Sequence, residues 1–280
     1  MERIQRALDL AKSQRAPAVA PAPTPAPAPA AVDDPRYERE VLNREFSIST
    51  VEFASRVSLD WPTLRERRII SPADSQSAGH AYRMLRTQVL QRARSNSLNT
   101  IGIVSAVNGE GKTLTAINLA LSLAAEPNQT VMLVDLDLRR PAVGGTLGLN
   151  VERGLETWFE DDQPIKSFSY GIEGVERLFV LPTLRPLAGS SELLANVGTR
   201  RLMNELKARD PGRLLIVDLP PVLLSDDALV VAPLLDAVVL VVNERRTRRE
   251  DVVRAIELLG NTRIVGTVLN RSSESELRAY

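Results

Sequence analysis

Short runs rich in Val, Ile and Leu recur at residues 100–105, 131–135, 178–182, 213–218, 237–243 and 264–269. Each is strand-length, and most lack polar alternation. Strands read this way when both faces of a parallel sheet are buried. Between them, 113–125, 191–208 and 248–260 read as helices. Parallel neighbours need a crossover to return the chain, so the alternation predicts a doubly wound α/β domain with a mostly parallel sheet over residues 71–275. Hydrophobic residues make up 44% of the 280-residue chain, enough for a sizeable core. "TRRE" at Thr247–Glu250 reads as a capping box opening the last of these helices. "SPAD" at Ser71–Asp74, with Pro72 at the first helical position, predicts a helix start. The helix that follows, around 78–93, would carry Tyr82, Leu85, Val89 and Leu90 on one face.

Ahead of this domain the pattern is different. Ile4, Ala7, Leu8 and Ala11 have helical spacing, so residues 1–15 hold a short amphipathic helix, either a frayed end or a docking element. "APAVAPAPTPAPAPAA" follows; alternating Ala and Pro predict a semi-rigid spacer on the order of 50 Å long. Residues 32–70 show no sustained period. With the Pro/Ala-rich linker they form a loosely ordered arm over 16–70, wrapping the domain through Trp61, Ile69 and Ile70. Residues 276–280 form a flexible tail. Lys+Arg and Asp+Glu both number 35, so the balance of charge argues for neither a nucleic-acid nor an anionic-membrane partner. The absence of cysteine excludes disulfides and thiolate metal sites. The longest apolar stretch, 228–242, is interrupted by Pro233 and Asp236 and is too short to cross a bilayer. The expectation is a cytoplasmic protein without direct membrane insertion.

The first strand runs into "SAVNGEGKT", residues 105–113, and then a helix. A phosphate-binding loop requires this strand–loop–helix setting. Gly109 and Gly111 let the backbone turn its N–H groups inward, and the positive helix end completes an anion cradle. Lys112 would reach the β- and γ-phosphates, and the Thr113 hydroxyl would reach Mg²⁺. Asn108, Gly109, Glu110, Gly111, Lys112, Thr113 and Leu114 are the candidate nucleotide-binding segment; Ala106 stands at the first position of the usual glycine pattern. A second strand, "LLIVDLPP", ends in Asp218, a candidate Mg²⁺ ligand. A third, "VMLVDLDLRRP", ends in Asp135, Asp137 and Arg139, charges that are costly to bury unpaired.

These three motifs together resemble those of the bacterial tyrosine kinases of the capsule and exopolysaccharide type, within the MinD/ParA-like P-loop superfamily. The likeness extends to "AYRMLRT" (81–87), "SELL" (191–194), "SDDALVVAPLLDAVVLVVN" (225–243) and "GTVLN" (266–270), and spans roughly residues 76–271. It implies a P-loop protein tyrosine autokinase using ATP and Mg²⁺. Asp135 would sit beside the metal and γ-phosphate, assisting Mg²⁺ binding or accepting the attacking hydroxyl's proton. Asp137, with Arg139 as partner, would hold that strand end in shape. Asn270 would read adenine. The catalytic set implied is Lys112, Asp135, Asp137 and Asp218, with Thr113, Asp135 and Asp218 at the metal. Homo-oligomer formation and a separate transmembrane polysaccharide co-polymerase or activator as partner are further implications.

Two departures stand out. The family's assembly helix typically carries Glu-x-x-Arg-x-x-Arg; here Arg83 and Arg86 are present, and His80 replaces the glutamate. The family's kinases usually end in a tyrosine cluster, whereas this chain ends "SSESELRAY", making Tyr280 the candidate phosphoacceptor. Arg245, Arg246, Arg248 and Arg249 form a basic knot, read either as a solvated helix start or as a contact to phosphate or an acidic partner. A MinD/ParA-type switch ATPase and a nucleotide-gated regulator of an export complex are the competing classes. The switch ATPases usually place a lysine where this chain has Val107.

Overall fold

A computed structural model describes residues 52–72, 77–208 and 212–272. The expected N-terminal helix, the Ala-Pro spacer and Tyr280 lie outside the described residues. The first elements are β1 (Ser55–Val57), α1 (Trp61–Glu66), α2 (Ser77–Asn96), β2 (Thr100–Ser105), α3 (Lys112–Ala124), β3 (Val131–Asp135), α4 (Val143–Leu147) and α5 (Glu156–Asp161). Then follow β4 (Tyr170–Ile172), β5 (Val175–Leu181), α6 (Ser190–Ala195), α7 (Val197–Ala208) and β6 (Leu214–Asp218). The last are α8 (Asp227–Val231), β7 (Ala237–Asn243), α9 (Arg249–Leu259) and β8 (Ile264–Asn270).

The strands form one sheet in the order β1-β4-β5-β3-β6-β2-β7-β8. Every pairing is parallel except β4 with β5. The apolar runs behave as two-faced strands. Ile101, Ile103, Leu133, Ile216 and Val239 point into one core layer, with residues of α1, α2 and α3. Val104, Val134, Val217 and Leu240 point into the other, with residues of α5 to α9. A side-chain period of two thus supplies both layers from one strand. The doubly wound α/β architecture read from the alternation is the observed one. No helix among the described residues is long and apolar enough to cross a membrane.

Four local readings are corrected. The arm expected to be loosely ordered is, over its described part, built into the fold: β1 pairs with β4, and Leu59, Leu64 and Ile69 are buried. Asn118, buried on α3, fastens this segment by accepting from Ile70 N at 2.8 Å and donating to Arg68 O at 3.0 Å. The helix expected over 191–208 is two helices. Asn196 between them has an extended ψ of 159° and takes Gly198 N on its side chain, the local competition that makes Asn a helix starter rather than a helix interior. β5 begins three residues earlier than expected, and β4 was not foreseen; Gly174, at φ +75°, lies between them. The capping box at Thr247 does not form: α9 starts after Arg248 without a side-chain cap, because the Thr247 hydroxyl is engaged with the phosphate loop.

Candidate functional site

The parallel order puts β3, β6 and β2 side by side with their C-terminal ends on one edge. Ligands of open α/β sheets bind at that edge. Asp135 and Asp218 are cross-strand partners, so the two acid motifs, some eighty residues apart in the chain, meet through backbone register. Asp218 pairs in turn with Ile103, two residues before β2 gives way to the loop.

That loop leads into α3 through Gly109 at φ +80° and Gly111 at φ +92°. Gly111 is the helix N-cap, and no side chain caps the first turn. The leading N–H groups of a thirteen-residue helix are thereby left to an anion. A Cβ on Gly111 would lie 2.1 Å from Asn270 Nδ2, which donates to Glu110 O at 2.8 Å. Asn270 therefore ties the end of β8 to the phosphate loop.

Lys112 projects into the acids. Its Nζ is 2.7 Å from Asp137 Oδ2 and 3.4 Å from Asp218 Oδ1. The Thr113 hydroxyl donates to Asp218 Oδ2 at 2.6 Å. Asp135 is turned to the backbone: Oδ2 accepts from Ala142 N and Val143 N at 3.0 and 2.9 Å, which locks the segment after β3. All three carboxylates are buried. Burial pushes the Asp135 carboxyl well above the usual carboxylate range, Asp218 adding to it, against the pull of Val143 N–H and Lys112. Burial raises Asp218 as well, despite Lys112 and Thr113. For Lys112 burial works against the charge, but Asp218 and Asp137 outweigh it and hold the ammonium above its ordinary value.

Arg139 was expected to partner Asp137 and does not. Its Nε lies 3.2 Å from both oxygens of the buried Asp227, and Ser191 donates to Asp227 at 2.7 Å. Arg139 thus clamps α8 and α6 to the end of β3, and Asp137 is left to Lys112. Glu110 is also not a phosphate-facing side chain. It is buried, taking Val107 N on Oε2 at 2.9 Å and the Thr247 hydroxyl on Oε1. A carboxylate aimed into an anion cradle would be repelled; turned outward, it shapes the loop. The Asn108 side chain is exposed, and Leu114 packs partly against the core. The Glu110–Thr247 link and the Arg139–Asp227 clamp were missed, because both join residues roughly ninety or more positions apart. On α2, His80 is exposed, and Arg86 pairs with Glu126 at 2.9 Å and donates to Ser122 O.

The donors fit Mg²⁺. Thr113 and Asp218 offer only oxygen, and Mg²⁺ is bound through one or two carboxylates, phosphates and water rather than by a protein cage. Among the described residues no cluster of three or more His, Cys, Asp or Glu forms such a cage.

A glycine-turned loop at a helix start, a lysine among strand-end aspartates and a parallel sheet together define a P-loop nucleotide-binding protein. The family model described as NUBPL iron-transfer P-loop NTPase, of the ParA group, matches residues 96–275. The chain belongs to this P-loop NTPase family, on its bacterial tyrosine-kinase branch. Tyrosine-protein kinase YwqD of Bacillus subtilis is 28% identical over 218 residues, 77% of this chain and 90% of that protein. The succinoglycan biosynthesis transport protein ExoP of Rhizobium meliloti is 30% identical over 78% of this chain but only 28% of its own length. Among solved structures, the kinase domain of the Escherichia coli tyrosine kinase ETK superposes with a TM-score of 0.64 at 26% identity, covering 80% of this chain and 93% of that one.

Proposed function

We propose that this chain is an ATP-dependent protein tyrosine autokinase acting in exopolysaccharide or capsule biosynthesis or export. The observation that carries the reading is Lys112 seated between carboxylates from two different strands, Asp137 after β3 and Asp218 on β6. A simple nucleotide switch needs a metal-side acid; the second acid strand addresses the incoming nucleophile. The names of YwqD, ETK and ExoP support the kinase and polysaccharide parts of the reading.

In this mechanism the α3 N–H groups and Lys112 hold the phosphates of ATP, and Thr113 and Asp218 hold Mg²⁺. The metal, when bound, neutralises charge developing on the phosphates. Asp135, expected beside the metal and γ-phosphate, has Oδ2 taken up by Ala142 and Val143 N–H; in this reading it fixes the end of β3, and the proton-accepting role passes to Asp137. Asp137, freed when Lys112 turns to phosphate, orients the acceptor tyrosine and takes its proton. The phenolic oxygen then bonds to the γ-phosphorus as the bond to ADP breaks. Positioning and charge neutralisation supply the rate. Tyr280 is the proposed acceptor, delivered from a second copy of the chain, and a separate transmembrane activator the proposed partner.

The test is mass spectrometry of the purified chain after incubation with Mg-ATP and the partner's cytoplasmic tail. Phosphotyrosine that disappears with both Lys112→Ala and Tyr280→Phe is expected. Steady phosphate release with no phosphotyrosine would replace this reading with a switch ATPase; nucleotide binding with neither would leave a nucleotide-gated regulator.

A further inference from the structure

The loop between β7 and α9 lies against the phosphate loop and carries a cation without an assigned task. Thr247 is the fastening. Its hydroxyl donates to the buried Glu110 and accepts from Asn243 N at 2.9 Å, and its own N–H donates to Asn243 O at 2.9 Å. The loop is thus closed on itself and tied to the centre of the phosphate-binding turn. The next residue back is Arg246. Its Nη1 lies 3.6 Å from where a Cβ on Gly109 would stand. Gly109 has no side chain and a left-handed backbone at φ +80°, so the guanidinium reaches the loop itself.

Among the described residues no carboxylate forms an ion pair with Arg246. An exposed guanidinium is thus held beside an N–H-lined anion cradle, and whereas Lys112 is paired with Asp137 and Asp218, the Arg246 charge is not matched by a carboxylate there. A phosphate chain seated in the cradle would bring acceptor oxygens within reach of that guanidinium, in the charge-assisted geometry arginine suits. We infer that Arg246 contacts a phosphate oxygen of the bound nucleotide, and that the Glu110–Thr247 hydrogen bond positions it there. This rests on the nucleotide reading above and adds to it a residue from outside the phosphate-loop and aspartate motifs. Of the basic knot, Arg246 is the member placed at the site; Arg249 begins α9 and is exposed.

The experiment measures the Kd of Mg-ATP and Mg-ADP by calorimetry on the full chain at low and moderate salt. Arg246→Ala should raise Kd about ten- to hundredfold, the range for losing a charge-assisted hydrogen bond, and should flatten the salt dependence. Arg246→Lys should recover part of the affinity, and Arg249→Ala should leave it unchanged. Equal loss for both nucleotides supports a contact on the shared phosphates; loss for ATP alone supports one on the γ-phosphate. Wild-type affinity in Arg246→Ala, or an equal loss in Arg249→Ala, overturns the inference. So does weakened binding with an unaltered salt dependence, which would mean loop shape and not charge. In each of these cases loss of binding in Lys112→Ala shows the nucleotide reading to stand. Should the wild-type chain bind neither nucleotide, both readings fall.

Discussion

Asp236 shows how one carboxylate fixes a strand that the site depends on. Its Oδ2 accepts from Asn99 N and Thr100 N at 2.8 and 2.9 Å, where β2 begins, and Oδ1 takes Lys207 Nζ at 3.3 Å. Burial works against its charge, but these N–H groups, the Thr100 hydroxyl and Lys207 outweigh it and hold the carboxyl below the usual range. A depressed folded value means that the unfolded chain binds the proton more readily. The stabilisation is therefore fully present above about pH 4, the unfolded carboxylate's value, and is lost as pH falls through the folded one. Asp236→Ala should cost about 2–3 kcal/mol at pH 7 in denaturant titration, and the gap to wild type should shrink below about pH 4. Gly111 is the second position where one residue decides. A side chain there meets both the left-handed backbone and the Asn270 amide. Gly111→Ala should destabilise by about 1–3 kcal/mol and abolish nucleotide binding, as read by denaturation and calorimetry. The glycine was legible in the motif; its contact with Asn270 was not, because nothing in the chain between 111 and 270 announces that β8 ends against the loop.

At the scale of elements, α3 does two things. Its N-terminus presents the anion cradle, and its middle holds the arm that contains β1 and α1. Asn118 makes that second attachment with both ends of its amide. Asn118→Ala leaves Ile70 N and Arg68 O without their partner, which should cost about 2–4 kcal/mol in urea titration while leaving nucleotide affinity within error of wild type. An effect on affinity comparable to that of Lys112→Ala would contradict this division of labour. Strands buried on both faces were readable because their composition is almost purely Val, Ile and Leu. β4 and β1, at three residues each, are too short for any period to show and exist only because the sheet edge pairs them. The split at Asn196 was readable in principle from the residue type, yet the apolar spacing on either side suits one helix as well as two.

For the whole molecule the question is where the folded unit begins. Among the described residues, Leu59, Leu64 and Ile69 are part of the core layer beneath α3. Each buried leucine or isoleucine contributes about 1.5–3 kcal/mol of transfer free energy, partly offset by the entropy of ordering its segment. A chain starting at residue 71 should lose about 3–5 kcal/mol in chemical denaturation relative to one starting at residue 52. Equal stability of the two would show that the arm contributes nothing to the core. The phosphate loop, the aspartate-bearing strand ends and the α/β alternation were determined by the amino-acid sequence alone, since each is a local pattern: a glycine spacing, a strand-length apolar run, a charge at its end. Which acid faces Lys112, which aspartate takes Arg139, and that Glu110 turns away to Thr247 were decided only in the tertiary structure. Those choices depend on which strands become neighbours and in what register, and buried charges then pair with whatever opposite charge or N–H the packing brings within reach.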